Sequence, residues 1–350
     1  MQAGKTADAL KAIGLAVDHT LYRSSADPED GTSARLSEVP ITYDVWHFLP
    51  GRPVPRELQT MRASGRFPLL ACSPIYWESL VHRAVTANNC SPSLRASMLS
   101  LRVQRALSAV FRRPIKSLPY DLYLTNSQIE IDVLRRDFQL PRRAMCAAVP
   151  NAADQIPEGL GSSPRPAREY LLYPGVFSPR KNQLGFIRAM RETPYPVVFL
   201  GGPLPTAECK RYFSLCQESA PSHWRFLGQV PHGSAEFYDA LIRSRVSCLA
   251  SSCETPGIAL IEAAALGARP AVTREGSAAE YFGFEAEYFH PLDGEEIRAA
   301  VKRAWDRGPL SSAAELGMRQ ITWEATAQAT LRFYQEALAR RDMTNAERRS

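Results

Sequence analysis

Short apolar runs alternate along this chain with stretches whose apolar residues recur at helical spacing. TADALKAIGL (6–15) reads as an amphipathic helix, and AVDH (16–19) as the start of a strand. YDVWHFL (43–49) and FPLLACSP (67–74) read as strands around a helix in VPRELQTMRAS (54–64), after a polar, Pro/Gly/Ser-rich stretch at 19–42. DLYLTNSQIEIDVLRRDF (121–138) runs from strand into helix with Asn126 or Ser127 as the cap. AMCAAVPNAAD (144–154) is a strand ending in a turn. This order predicts parallel sheets with crossover helices, an α/β fold.

QIPEGLGSSPRPAR (155–168) lacks apolar periodicity and is rich in Pro, Gly and Ser, so it is expected to be a linker. Two domains follow, at 1–154 and 169–310, which suits a chain of 350 residues. In the second, EYLLYPG (169–175), PYPVVFLGG (194–202), HWRFLGQVPHG (223–233) and ARPAVTREGSAAEYF (268–282) carry strands. Helices are expected in FSPRKNQLGFIRAM, at 206–219, 234–244 and 293–307, and over the long 312–341 segment. The polar tail, 343–350, is expected to fray.

The most informative stretch is VSCLASSCETPGIALIEAAALG, Val246 to Gly267. An apolar run to Ala250 predicts a buried strand, and Thr255 as N-cap with Pro256 as first helical residue predicts a helix start. Gly257 keeps that first turn bare, so a ligand can approach the exposed N–H groups, and Gly267 stops the helix. Glu254 stands just before the helix. Glu262 lies about 9 Å along the axis from the first helical residue, too far for the two to act as one pair. They read as two anchors for a long ligand whose anionic middle lies over the positive helix end. A lone Glu pair is more often solvated, and only its surroundings argue otherwise. A glycosidase, which pairs carboxylates about 5–9 Å apart, is set aside because Glu262 sits well inside the helix beside a phosphate-type site.

Composition narrows the classes. No apolar run reaches the roughly 18 residues of a membrane span, and no signal-peptide core opens the chain, so a cytoplasmic location is expected. Seven scattered cysteines form no C-x-x-C pair, and the six histidines show no ligand spacing, so neither disulfides nor a metal is expected. The net charge of +6 is concentrated between Glu78 and Asp121, where Arg83, Arg95, Arg102, Arg105, Arg112, Arg113 and Lys116 meet no acidic residue. LRASMLSLRVQRALSAVFRR within it has helical apolar spacing. Residues 83–116 are therefore either a peripheral contact with an anionic membrane or a core-facing helix with a solvated basic face. No nucleic-acid-binding motif accompanies the charge, and nucleic acid is not an expected partner.

The string ETPGIALIEAAALG followed by EYFGFEAEYFHPLD resembles glycosyltransferase family 4, and in particular its bacterial polysaccharide-type members. SPIYW (73–77), TNS (125–127), VPNAxD (149–154) and PRKNQ (179–183) resemble further segments of that family. The resemblance implies a GT-B fold, two Rossmann-like domains facing across a cleft, with the helix at 311–342 returning to the N-domain. It places Met1 where the family's first helix begins, so either the start is misassigned or the N-domain lacks its first strand. It implies a retaining, metal-independent transferase with no cofactor beyond a nucleotide-sugar co-substrate. The acceptor it implies is a saccharide or lipid-linked saccharide in cell-surface polysaccharide synthesis, such as lipopolysaccharide, at the inner face of the membrane. By position, Gly175, Arg180, Lys181, Val230, Glu254, Thr255, Gly257, Ile258 and Glu262 would bind the donor. Glu254, Lys181 and Arg180 would be catalytic, and Glu262 would hold the ribose. Gly276 and Glu280 match a loop that closes on the donor side. Ser73, Tyr76, Trp77 and Glu78 would line the acceptor side, although Tyr76 and Trp77 taken alone read as packing. Val176 stands where the family usually has an Arg. With the absent strand, it motivates an alternative: a weak or inactive subunit acting as a binding or scaffold partner.

Overall fold

The computed structural model describes residues 2–18, 43–49, 68–77, 80–89, 120–157, 159–160 and 166–347. Glu78, the segments expected at 19–42 and 54–64, and most of the basic block lie outside the described residues. In chain order the first half gives α1 (Gln2–Ala12), β1 (Val45–Phe48), β2 (Leu69–Cys72), α2 (Leu80–Asn89), β3 (Leu122–Thr125), α3 (Gln128–Asp137) and β4 (Met145–Ala148). The second half begins with β5 (Tyr170–Pro174), a single 3-10 turn (Pro179–Lys181), α4 (Gln183–Met190), β6 (Val197–Leu200), α5 (Ala207–Ser219), β7 (Arg225–Phe226) and α6 (Ala235–Ile242). It continues with β8 (Ser244–Leu249), α7 (Ile258–Ala265), β9 (Arg269–Thr273), α8 (Ala278–Phe282), β10 (Glu287–Phe289), α9 (Gly294–Arg307), α10 (Ser312–Arg319) and α11 (Trp323–Glu347).

These elements form two compact units. The first contains Met1–Tyr76, Pro114–Asn151 and Trp323–Ser350, and the second Trp77–Arg113 and Ala152–Thr322. In the first unit four parallel strands run in the order β1-β2-β3-β4. Alternate residues serve opposite faces, as the two-residue period of a strand requires. Leu69, Ala71, Leu122 and Leu124 pack under α1 and α11 with Leu10, Ala327 and Tyr334. Leu70, Cys72 and Tyr123 face Leu134 of α3. Because both faces are covered, β2 and β3 are buried at every position and read as continuous apolar runs.

The second unit has six parallel strands in the order β10-β9-β8-β5-β6-β7. From β5 the chain winds outward to β7, returns to β8 on the other side, and winds outward again to β10. The reversal between β5 and β8 is a topological switch point, and open parallel sheets take their ligands at the strand carboxyl ends there. Among the described residues, the α/β class with two parallel sheets is as the sequence predicts.

Several details differ. Helix α1 occupies Gln2–Ala12 rather than 6–15, because the chain turns at Gly14, whose N–H bonds the Lys11 carbonyl at 2.9 Å. No strand precedes Val45 among the described residues. Near the expected linker the chain passes from the first unit to the second between Asn151 and Ala152, ahead of that stretch. Within that stretch Arg168 is docked on the second unit, its Nη1 donating to the Ile242 and Ser244 carbonyls at 2.9 and 2.7 Å. Helix α2 belongs to the second unit although β3 of the first follows it, and α10 stays with the second while α11 joins the first. Helix α11 runs on to Glu347, past the point where the tail is expected to fray.

Candidate functional site

The carboxyl ends of β5 and β8 carry the candidate cations and the first carboxylate. After β5 the chain passes Gly175, at φ +136°, then exposed Val176, and tightens into the 3-10 turn. Asn182 follows in the left-handed region, at φ +57° and ψ +31°, a conformation Asn tolerates better than most residues. Its amide nitrogen donates to the carbonyls of Ala250 at 3.0 Å and Pro291 at 2.8 Å. Its oxygen accepts from Asn89 at the end of α2 at 2.8 Å. Buried Tyr173 bridges the same two loops, donating to the Lys181 carbonyl and accepting from the Ala250 N–H. Ser252 N–H bonds the Arg180 carbonyl at 2.8 Å. The backbone under Arg180 and Lys181 is thus fastened to the end of β8 on several sides.

Those fastenings bring Lys181 onto Glu254. Nζ and Oε1 lie 2.6 Å apart, with the Lys181 side chain 13% and that of Glu254 5% exposed. Arg180 donates from Nη1 to the Cys253 carbonyl at 3.3 Å. Burial pushes the Glu254 carboxyl up, but the charges of Lys181 and Arg180 together with the Lys181 hydrogen bond outweigh it, and its pKa falls below the ordinary value. Glu254 is therefore a buried, ionised carboxylate, not the solvated loop residue of the plain alternative. Its backbone is paired as closely: Glu254 N–H bonds the Glu275 carbonyl at 3.1 Å, and Ser277 N–H bonds the Glu254 carbonyl at 2.9 Å. Gly276, at φ +106°, makes this approach feasible, since a Cβ there would lie 2.1 Å from the Glu254 carbonyl oxygen.

The helix start differs from the expected one. Thr255–Pro256 is a cis peptide in the loop, and the N-cap is Gly257 at φ +89°. Helix α7 begins at Ile258 because a residue with that φ cannot belong to a right-handed helix. The N–H groups of its first turn lack intrahelical acceptors and carry the positive end of the helix dipole. Ile258 also packs against the core beneath. Gly267 ends the helix as expected, with Ala268 N–H bonding Ala263 and Gly267 N–H bonding Ala264.

Glu262 lies on α7 with 3% exposure, and burial raises its pKa. Oε1 is 2.7 Å from His232 Nε2, and the backbone N–H of Asp154 also donates to the carboxylate. The other ring nitrogen of His232 is 3.6 Å from Asp154 Oδ2. Asp154 closes the VPNAxD segment and His232 lies in the HG turn after a strand, but nothing local joins either to Glu262, which they meet across 108 and 30 positions. Val230 packs against the core cluster of Tyr170, Phe237 and Leu241.

The first unit brings together a different set. Ser73 follows β2, and its Oγ is 2.9 Å from Nε2 of His47 on β1, whose Nδ1 is 2.6 Å from the Tyr334 hydroxyl on α11. Burial lowers the His47 pKa to about 4, so the imidazole is neutral at pH 7. A cavity of about 20 Å³, room for one water or hydroxyl group, opens here. His47, Ser73, Asn126, Asn151, Thr6 and Thr330 contribute its polar lining, at the carboxyl ends of all four strands. Tyr76 takes the packing role, stacked edge-on against Phe138 at 4.9 Å with its hydroxyl donating to Asp137 at 3.2 Å. Its N–H is held at 2.5 Å by Glu130, a buried carboxylate that also accepts from Asn126 N–H. Trp77 is half-buried in the second unit, and among the described residues its indole N–H has no partner. No group of three or more His, Cys, Asp or Glu is placed to hold a metal among the described residues.

Residues 161–313 match the sequence model of a family described as Glycosyl transferases group 1. No curated protein matches the chain. Among solved structures it is similar to the sucrose-phosphate synthase (tll1590) of Thermosynechococcus elongatus, with 21% identity, a TM-score of 0.59, and coverage of 96% of this chain and 92% of that one. A glycosyltransferase from Rickettsia africae ESF-5 is similar at 13% identity and a TM-score of 0.57, over 84% of this chain and 77% of the other. The UDP-forming α,α-trehalose-phosphate synthase of Burkholderia xenovorans, solved with glucose-6-phosphate, is similar at 12% identity and a TM-score of 0.54, over 79% and 70%. These likenesses show the fold, which in all three is that of GT-B glycosyltransferases with two Rossmann-like domains. The chain therefore has a GT-B fold, in which residues 161–313 match the glycosyl transferases group 1 model.

Proposed function

We propose that the chain is a retaining glycosyltransferase that moves a sugar from a nucleoside-diphosphate sugar to a hydroxyl of a saccharide or lipid-linked saccharide. The observation that carries this reading is the meeting of Arg180, Lys181, Glu254 and the start of α7 at the β5–β8 switch point. Two fixed cations beside free helix N–H groups suit a diphosphate. A buried carboxylate on either side suits the hydroxyls of a sugar and a ribose.

In the proposed reaction Glu262 accepts from the ribose hydroxyls and Glu254 faces the donor sugar. The bond from C1 to the β-phosphate oxygen breaks, and the acceptor oxygen bonds C1 on the same face. The acceptor proton passes to the departing β-phosphate oxygen, so no separate protein base is required. Charge growing on the diphosphate is met by Arg180, Lys181 and the N–H groups of Gly257 and Ile258, preorganised before the reaction begins. This set supplies what a bound metal would supply, and the reaction is expected to run without one.

For the acceptor, the neutral lining of the first unit's cavity, including an uncharged His47, favours a hydroxyl over a phosphate or carboxylate. No helix among the described residues is long and apolar enough to cross a membrane. Peripheral contact with an anionic leaflet through residues 83–116 is proposed from the seven positive charges that meet no acid there.

A scaffold subunit is the second reading, favoured by Val176, a 42% exposed apolar side chain where the family carries a cation. The two readings separate in one experiment. The full chain is incubated with UDP-, GDP- and ADP-sugars in EDTA, and released nucleotide and product anomer are followed by NMR. A product of the donor's own anomeric configuration is expected. Nucleotide binding without release would establish the scaffold reading instead.

A further inference from the structure

Glu262 is a long side chain on a short helix, and a bidentate contact with a ribose diol requires its carboxylate to hold one orientation. Fixing a free Glu side chain costs rotamer entropy. Something other than the ligand has already fixed this one. His232 Nε2 sits 2.7 Å from Oε1, and the Asp154 backbone N–H donates to the same group. A carboxylate has about four lone-pair sites, so two donors leave acceptor capacity for a ligand.

His232 is itself held on three sides. Its Nδ1 is 3.6 Å from Asp154 Oδ2, its Nε2 is 2.7 Å from Glu262 Oε1, and its ring contacts Phe237 at 4.6 Å between centroids, tilted by 52°. Phe237 is in turn fixed in the first turn of α6, its N–H donating to the N-cap Ser234 Oγ at 3.2 Å. The His232 side chain is 37% exposed, yet its ring is enclosed by an acid on either side and an aromatic ring, with one short hydrogen bond to Glu262. A surface histidine would be free to rotate, whereas this ring is aimed.

We infer that His232, held by Asp154 and Phe237, is a positioning residue that sets the Glu262 carboxylate for a vicinal diol, and so determines discrimination between ribose and deoxyribose in the donor nucleotide. The inference rests on the proposed ribose role of Glu262. Its distinctive consequence is a ratio of affinities. Loss of the imidazole lets the carboxylate swing, which removes the second contact to the diol more than the first. The ribonucleotide then loses more affinity than its 2′-deoxy form.

The test uses calorimetry on the full chain with whichever of UDP, GDP and ADP binds most tightly, and with the corresponding 2′-deoxynucleotide. The wild type is expected to favour the ribonucleotide by at least about tenfold, since a site built to accept from a hydroxyl rejects the analogue lacking it. His232→Phe keeps an aromatic ring against Phe237 but removes the donor, and is expected to reduce the preference to less than about threefold, as is His232→Ala. His232→Gln, whose amide reaches the place of Nε2, should restore most of it. Circular dichroism and thermal unfolding establish that each variant is folded. A preference unchanged in both His232→Phe and His232→Ala, but lost in Glu262→Ala, would overturn the inference while leaving the ribose role of Glu262 intact. A wild type that binds nucleotide with no ribose preference would overturn both.

Discussion

Replacement of Lys181 by alanine is expected to lower kcat by about two to three orders of magnitude, the usual effect of removing one preorganised donor from a developing anion. The same change is expected to destabilise the protein by about 3–5 kcal/mol, because it leaves Glu254 buried and ionised with its closest partner gone. The two effects separate in the double variant. Adding Glu254→Gln to Lys181→Ala removes the uncompensated charge, so stability should largely return in chemical denaturation while turnover stays low. If Lys181→Ala alone kept both stability and turnover, the ion pair at 2.6 Å would be incidental and the proposed diphosphate site would fail with it.

Substitution of Gly276 by alanine should have the second largest effect, although Gly276 touches no substrate in the proposed mechanism. A Cβ at this position would stand 2.1 Å from the Glu254 carbonyl oxygen and 2.8 Å from its nitrogen, both rigid backbone atoms. The φ of +106° adds a strain of about 1–3 kcal/mol for any residue with a side chain. The loop must move, and Glu254 must move with it, since the two are hydrogen-bonded through Glu275 and Ser277. A misplacement of about 1 Å at a reacting centre lowers turnover roughly 10²-fold. Gly308→Ala is the control: Gly308 also has a positive φ, +75°, but a Cβ there would meet only the far end of Arg245 at 3.7 Å. Steady-state assays should show a large loss in Gly276→Ala and none in Gly308→Ala. Equal activity in the two would show that the Glu254 backbone tolerates displacement.

The α/β class and its parallel sheets were legible because strands covered on both faces read as unbroken apolar runs, as LLAC and LYLT do. The identity of Glu254, Lys181 and Glu262 as candidates was also legible, through the strings that surround them. Their partnerships were not. Lys181 meets Glu254 across 73 positions and Asn89 reaches Asn182 across 93, and no periodicity or propensity encodes a contact at that range. The same limit hid His232, which in sequence is one of six scattered histidines. The helix start was misplaced for a local reason. Thr255 and Pro256 are favourable at the N-cap and first helical positions, but Gly257 takes the left-handed conformation that turns the chain, so the helix begins one residue after it. Within the SPIYW segment, Tyr76 packs edge-on against Phe138, a contact across 62 positions that the string does not encode.

The most direct test of the central claim, that the carboxyl ends of β5 and β8 hold a nucleoside diphosphate, is calorimetric titration of the full chain with UDP, GDP, ADP and CDP in EDTA. One nucleotide is expected to bind at a single site, at least tenfold more weakly in Lys181→Ala and in Glu262→Ala. A folded wild type that binds none of the four, or one whose binding is unchanged in both variants, would contradict the account.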